Sequence, residues 1–580
     1  NDPNILYWQW QGGNFVRFYK NTGEAKEISP YGNEKTGDLR WNWNSAIAFS
    51  PTTNAMYVGS QYLYKSTDRG DSWEEISDDL TTNNPERLKQ SETGGITIDN
   101  STAENNCTVY TIGESPLNSD VIWVGTDDGN LQLTRNGGKK WKDVTTNLPG
   151  IPEDTWISAV EPDRFNEAGV FVTIDNHREG DMKSYVFKSD DYGKSFVSLT
   201  DENIEGYCFD IVQDFVNKNL LFLGTEFGLY ASLDGGKVWS RLKGNIPKVA
   251  IHELIIHQRE NDLIMATHGR GIFIIDDITP LRALSEEILG EDLVFLPSRP
   301  YQISSMGMKQ SMNGDDEFVG RNPADAVYIT YYMKKRHIFG DMYMEIYDAE
   351  GNKISSLPAG KRAGINREAW TPREKAPKVP SSNSLARGAI FGPTYPPGEY
   401  TVKIIKGEDE FIGKVNIEFD PNLPHSLADR DLQLKTIRKA YKMLEDLAFI
   451  DARIVDVKKK VDEFSKTDAF STDETKSLVS YANNLDKVHK LMVATRMGGI
   501  TGEEKLREKI SNVYGALMRY SGKPTQSQIN RLIVLEKELT DIESETSSLL
   551  GSELELINMI ILKKYNTEIN LMTKGEFQNK

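Results

Sequence analysis

The chain has 580 residues, 27% of them charged and 38% hydrophobic, with a formal net charge of −18 at pH 7. That length suits several domains or one long repeat array. The negative excess disfavours nucleic acid and anionic membrane surfaces as main partners, and no apolar run reaches the roughly 18 residues a membrane helix needs.

The sequence opens Asn1-Asp2-Pro3-Asn4, without initiator Met or leader, and so reads as mature, processed or incomplete at its start. Residues 1–281 then alternate short apolar stretches with turns rich in Asn, Asp, Pro and Gly. Four turns share one pattern: "STDRGDSW" from 66, "TRNGGKKW" from 134, "SDDYGKSF" from 189 and "SLDGGKVW" from 232. The common form is Ser/Thr, any, Asp/Asn, any, Gly, any, any, Trp/Phe. Before each lies a strand-like run ending in a small residue, "MYVGS", "IWVGT" and "LFLGT" among them. Earlier still come "SAIAFS", "TVYTIG", "ISAVEP", "FDIVQD" and "HELIIH". Four short strands per unit of roughly 40–50 residues predict the blades of a β-propeller.

Units fall near 1–28, 45–77, 105–145, 157–200, 209–243 and 251–277. The first begins at its turn and lacks an opening strand. The last lacks the acidic box and ends in "GIFIIDDITPL". Between the third and fourth strands, the box closes a hairpin. Gly70 takes positive φ freely. Ser66 and Asp68 hold the loop by local hydrogen bonds, and Trp73 buries its ring where blades meet. Asn136 with Trp141, Asp191 with Phe196, and Asp234 with Trp239 repeat these structural roles. Asn136 also argues against metal binding by the boxes, and no cofactor is expected. Cys107 and Cys208 offer neither a disulfide framework nor a metal cluster, and read as separate buried thiols.

These boxes resemble the Asp-box, or BNR, repeats of sialidases, sortilin-type propellers and xyloglucanase-type glycoside hydrolases. The whole chain resembles large propeller proteins of the bacterial envelope, often labelled glycosyl hydrolase, in which "THGRGIFIIDD" (267–277) is a familiar closing segment. The resemblance implies an exported, periplasmic or cell-surface protein. It further implies an Ig-like domain and a helical tail after the propeller, and more propeller upstream of residue 1. Repeats of this kind specify architecture and leave activity open. The arginine-containing segment that sialidases place before their first box has no match in residues 1–65.

The topology of a blade puts the 1–2 and 3–4 turns on one rim. The 2–3 turns and the links between blades share the other, where ligands are expected. That rim collects Trp41, Trp43, Trp156, His177, Arg178, Tyr207, His252, His268 and Arg270 as ligand-binding candidates, since aromatic faces and charged forks suit sugars or peptides. Asp154, Glu205 and Glu226 are the candidates for a glycosidase carboxylate pair, which needs a separation of about 5–9.5 Å.

Beyond the propeller, 282–322 reads as a mobile connector containing "SSMGMKQSMNGDDE". Residues 323–422 alternate apolar and polar positions between turns, as in an Ig- or fibronectin III-like β-sandwich, with 375–388 a long loop. From 426 to 565 the pattern turns helical. Leu434, Ile437, Tyr441 and Leu444 begin an a/d stripe, Thr525 is an N-cap, and a bundle of three or four helices is predicted. Residues 566–580 read as a frayed tail.

The chain carries no G-x-S-x-G, H-E-x-x-H or P-loop motif. A binding or scaffold propeller holding a peptide, glycan or partner protein is therefore the first expectation. A glycoside hydrolase is the second. The third is one piece of a split or cleaved propeller, completed by another polypeptide or by an upstream propeller segment.

Overall fold

The computed structural model describes residues 2–89, 105–303, 323–382, 386–496 and 503–579. Two compact units divide the chain, Asn1–Glu291 and Asp292–Lys580. The Met/Gly/Ser-rich stretch at 304–317 lies outside the described residues.

The first unit is a succession of antiparallel meanders of propeller type. Sheet one holds β1 (Ile5–Trp10), β2 (Asn14–Tyr19) and β3 (Glu24–Glu27). Sheet two holds β4 (Ile47–Phe49), β5 (Met56–Gly59), β6 (Leu63–Ser66) and β7 (Glu74–Glu75). Sheet three holds β8 (Val109–Ser115), β9 (Asn118–Thr126), β10 (Leu131–Thr134) and β11 (Trp141–Asp143). Sheet four holds β12 (Trp156–Pro162), β13 (Val170–Asp175), β14 (Tyr185–Ser189) and β15 (Val197–Ser198). Sheet five holds β16 (Cys208–Gln213), β17 (Leu221–Thr225), β18 (Gly228–Ser232) and β19 (Ser240–Arg241). Sheet six holds β20 (Ile251–His257), β21 (Asp262–Thr267) and β22 (Gly271–Ile275).

Sequence pattern and burial agree in the middle of this array. The second strands "MYVG", "VFVTID" and "LFLGT" are mainly apolar because neighbours cover both faces, and each is buried at every position. The small residue that ends them has a steric cause. A Cβ on Gly59 would lie 2.4 Å from Val109, one on Gly125 2.4 Å from Ile157, and one on Gly224 2.6 Å from the Ile251 carbonyl. At each point the first strand of the next sheet crosses too closely for a side chain.

All four boxes fold alike. The Ser66 hydroxyl donates to Asp68 Oδ1 (2.8 Å) and accepts the Gly70 N–H (2.8 Å), while Asp68 Oδ1 accepts the Ser72 N–H (2.9 Å). Thr134 with Asn136, Ser189 with Asp191, and Ser232 with Asp234 repeat the exchange at 2.9, 2.9 and 2.7 Å. The Ser72 and Ser195 hydroxyls, then the N–H groups of the same residues, and the Ser66 and Ser189 hydroxyls hold the Asp68 and Asp191 carboxyls down at about 2. The indoles then tie sheets together. Trp73, Trp141 and Trp239 donate Nε1–H to the carbonyls of Ile28 (2.6 Å), Ile76 (2.8 Å) and Leu199 (2.9 Å). Each acceptor directly follows the last strand of the preceding sheet. Phe196, which has no N–H to give, is simply buried. The left-handed Gly70 (φ 86°) rests on Ile28, where a Cβ would come within 2.6 Å.

In the second unit, β23 (Leu293–Leu296), β25 (Val327–Met333) and β28 (Gly364–Trp370) form one sheet. The other runs in the order β24 (Tyr301–Ile303), β30 (Asp409–Phe419), β29 (Gly398–Lys406), β26 (Met342–Tyr347) and β27 (Lys353–Pro358). Ile329 and Tyr331 of the first face Met344, Ile346 and Val402 of the second across a shared core. Helices α1 (Leu427–Ser465), α2 (Thr472–Met492), α3 (Leu506–Met518), α4 (Gln526–Ser548) and α5 (Leu554–Tyr565) pack around Leu444, Leu447, Leu485 and Leu535. Thr525 caps α4, its side chain accepting the Gln528 N–H (3.2 Å). Two details depart from expectation. The 282–322 stretch is not wholly a connector: its Leu293–Leu296 and Tyr301–Ile303 pair into the two sheets, while the long loop at 375–388 reaches the helical core through Ala386 and Gly388. The tail does not fray, because Lys574–Asn579 is helical and buried Phe577 meets Phe449 at 5.4 Å.

Candidate functional site

Hydrogen bonds confirm the two rims. The Gly137, Tyr192 and Gly235 N–H groups of the boxes bond Asp120, near the start of β9, and the 1–2 turns at Ala168 and Asn219. At the other rim, the Asp127, Glu226 and His268 N–H groups bond the blade links at Thr108, Tyr207 and Ala250.

On this second rim the first strands of sheets three to six share a bulge. The ladder skips from Val109 to Thr111, Ile157 to Ala159, Cys208 to Asp210 and Ile251 to Glu253. Tyr110, Ser158, Phe209 and His252 are therefore the unpaired residues, and a bulge re-aims the side chain it carries. Ser158 is spent internally, its hydroxyl 2.9 Å from Thr173 Oγ1 and 3.0 Å from the Cys208 carbonyl. The other three meet rings from neighbouring turns and links.

The result is a ladder of rings across sheets four to six. His177 stacks on Tyr207 (4.3 Å between centroids, 13° apart), and Tyr207 meets Phe209 edge-on (5.1 Å). Phe209 stacks on His252 (4.0 Å), and His252 on His268 (5.3 Å). His177 and Tyr207 are half-buried, whereas His252 and His268 are exposed, so the ladder opens to solvent at the sixth sheet. Beside it, the Arg178 guanidinium lies 3.8 Å over buried Trp156, which meets Tyr110 edge-on at 5.0 Å. Asp175, buried at the end of β13, fixes both groups. Its carboxylate accepts from His177 Nδ1 (2.6 Å) and Arg178 (3.1 Å). Desolvation by the rings stacked on it, and then His268, shift His252 below the ordinary histidine value.

Carboxylates with the opposite perturbation line the first strands next to the bulges. Burial, and then Glu253, raise Asp210 well above the usual carboxylate range, although it accepts the N–H groups of Leu254 (2.7 Å) and Ile211 (2.8 Å). Glu253 is raised by the protein around it while keeping a solvent-exposed surface. Burial also raises Glu161, with Arg164 at 3.1 Å opposing the shift. In sheet three, buried Asp127 is pushed up to about 7 by burial and then by Asp128. It accepts Thr108 N–H (2.7 Å), Thr108 Oγ1–H (2.6 Å) and Asn42 Nδ2–H (2.8 Å). That set anchors a turn and leaves no open face for a ligand.

Among the residues singled out from sequence, His177, Arg178, Trp156, Tyr207, His252 and His268 come together. Arg270 follows in an exposed turn. Trp43 is exposed, and its carbonyl accepts Gln9 Nε2–H at 3.4 Å. Trp41 is buried in the packing of sheets one and two, edge-on to Phe15 at 5.5 Å, and has no face on the rim. Asp154 pairs with Arg87 (3.4 Å), which also holds Glu179 (3.0 Å). Glu205 pairs with Lys248 (3.0 Å), which keeps its carboxyl below the usual range. Glu226 bonds the Tyr207 carbonyl through its backbone N–H (3.1 Å). Tyr110, Phe209, Asp175 and Asp210 were not picked out. In sheet six the bulge leaves a trace in the burial pattern: buried positions step by three from Ile251 to Leu254, where a regular strand steps by two. Among the described residues no group of three or more His, Cys, Asp or Glu could hold a metal ion, and no helix is long and apolar enough to cross a membrane.

No protein-family model matches the chain, and no curated protein does. Among solved structures it is similar to a GH74 xyloglucanase from Xanthomonas campestris, at 17% identity over 48% of this chain and 44% of that one, with a TM-score of 0.34. It is also similar to the extracellular domain of a hybrid two-component system from B. thetaiotaomicron, at 9% identity, 73% and 49% coverage and a TM-score of 0.33. A third is YCF48 from Cyanidioschyzon merolae, at 12% identity, 47% and 79% coverage and a TM-score of 0.32. The match spans less than half the length of the xyloglucanase.

Proposed function

We propose that the protein is an exported binding module of the bacterial envelope whose propeller holds a glycan or peptide segment. The observation that carries this reading is the ring ladder ending in exposed His252 and His268. The terminal ring, His268, backed by His252, offers a flat face to a pyranose or an aromatic side chain, at little entropic cost. Arg178, fixed by Asp175 over Trp156, supplies a directional donor beside that face. The box repeats and their resemblance to envelope propellers support export. The test is capture on glycan and peptide arrays by the wild type and by His252→Ala. Capture that depends on His252 is expected; capture unchanged in the variant would place the ligand elsewhere.

One observation favours a hydrolase as the second reading. Asp210 and Glu253 are adjacent carboxyls with raised pKa, and a general acid needs such a carboxyl. Under that reading Glu253→Gln abolishes release of reducing ends from a captured glycan. Binding without any hydrolysis in the wild type would remove it.

A further inference from the structure

In the second unit the loop 334–341, "KKRHIFGD", joins β25 to β26 and so crosses from one sheet of the sandwich to the other. At its tip Ile338 and Phe339 are 69% and 85% exposed, and no large apolar side chain among the described residues is more open than Phe339. That exposure is built in, because hydrogen bonds hold the stem on both sides of the tip. The Lys334 N–H donates to the Asp292 carbonyl (3.1 Å), the His337 N–H to the Lys361 carbonyl (3.0 Å) and the Gly407 N–H to the Asp341 carbonyl (3.0 Å). Lys361 Nζ donates to the Gly340 carbonyl (3.0 Å), and Gly340 turns the chain with φ 90°. Two adjacent apolar side chains held out on a fixed turn serve no packing within the fold and mark a contact surface.

The charges around the tip narrow the kind of contact. Lys334, Lys335 and Arg336 lead into it, and the pairing of Met333 with Gly364 brings Lys361 and Arg362 alongside. Elsewhere on these sheets lysines are spent on carboxylates, as in Lys353 with Glu345 (2.9 Å), Lys403 with Glu410 (2.7 Å) and Lys414 with Glu399 (2.6 Å). Lys335, Arg336 and Arg362 have no such partner among the described residues. The acids at this end are otherwise engaged or lie on the opposite flank. Asp292 pairs with Lys406, and Asp341 adjoins the β29–β30 turn that carries Glu408 and Asp409.

An apolar tip with cations at its base matches the layering of a bilayer surface, where hydrocarbon lies beneath anionic headgroups. A protein partner would need a concavity shaped to the tip, whereas a bilayer needs only that order of layers. The net charge of −18 confines such a contact to this spot rather than preventing it, because salt screens charges more than about 10 Å away. We propose that the 334–341 loop is a peripheral membrane contact. Ile338 and Phe339 enter the headgroup boundary of an anionic bilayer, and Lys335, Arg336 and Arg362 meet lipid phosphates.

The test floats the 580-residue chain with vesicles of phosphatidylcholine alone and with about one-third phosphatidylglycerol. The chain should float with the anionic vesicles and do so less at high salt. Replacing both Ile338→Ser and Phe339→Ser should weaken that binding about tenfold or more, with the urea midpoint unchanged. Replacing both Lys335→Glu and Arg336→Glu should weaken it on anionic vesicles by a similar factor. Phe339→Trp should keep it. A polarity-sensitive fluorophore on Phe339→Cys reports the tip itself, since Cys107 and Cys208 are 0% exposed, and its emission should shift to the blue on anionic vesicles. The proposal is overturned if the wild type ignores anionic vesicles, or if the serine variant binds them equally well. A fall in the serine variant's midpoint would place the pair in the fold instead. A blue shift that grows with protein concentration without lipid would make the occupant a second copy of the chain, and would equally overturn it.

Discussion

The two rims of the propeller are built from the same strands and obey different rules. On the box rim, sheets two to five solve one problem in one way: a hydroxyl and a carboxylate or amide close the turn, and a ring locks it to the sheet before. Nearly every polar group there is used locally. On the opposite rim the same strand positions carry Tyr110, Ser158, Phe209 and His252, no two alike. What repeats serves the fold, and what varies at a repeated position is free to serve a ligand.

This contrast predicts separable phenotypes. The largest effect on stability is expected from Trp239→Ala. It empties a fully buried site and cuts the tie to Leu199, at a cost of about 3–5 kcal/mol, seen as a lower denaturation midpoint. Next is Ser232→Ala, which leaves the Gly236 N–H without its acceptor and should cost about 1–3 kcal/mol. Neither should alter ligand specificity in protein that remains folded. If either did, the division between rims would fail.

Acid–base behaviour sharpens the contrast. Asp127, raised to about 7 in the folded state, binds its proton more tightly there than in the unfolded chain. Its contribution is therefore complete below the unfolded carboxylate value of about 4 and is lost as pH rises through about 7. Asp127→Asn should flatten the stability-versus-pH curve over that window, measured by urea denaturation. His252 works the other way on binding. Its lowered pKa keeps the ring neutral, so capture should be constant near neutrality and weaken only once acid protonates it, below the ordinary histidine value. The smallest effect is expected from Lys248→Ala, which removes an exposed pair with Glu205 and should leave the midpoint within measurement error.

Much of the architecture was legible in the sequence because it is local and periodic. The boxes and the Thr525 cap depend on residues a few positions apart, and the strand-ending glycines recur at one place in the repeat although their cause lies in the next sheet. The indole ties were not legible, since they join Trp73 to Ile28 and Trp239 to Leu199 across sheets. Trp41 misled for a related reason: an aromatic in a link can fill the gap between two sheets as readily as it can face solvent, and Phe15 decides which. Four of the five ladder rings were visible as His and Tyr in links and turns. Phe209 was hidden because a bulge is a change of register, which the apolar pattern of Cys208–Gln213 does not mark. Phe577 was overlooked in a polar tail because one aromatic carries no periodicity.

The most direct test of the account sets His252→Ala beside Ser232→Ala, with array capture and denaturation midpoint measured on both proteins. The account predicts that His252→Ala loses about tenfold or more in capture with its midpoint unchanged, while Ser232→Ala loses stability and binds as before. A common loss of both properties in both variants would contradict it.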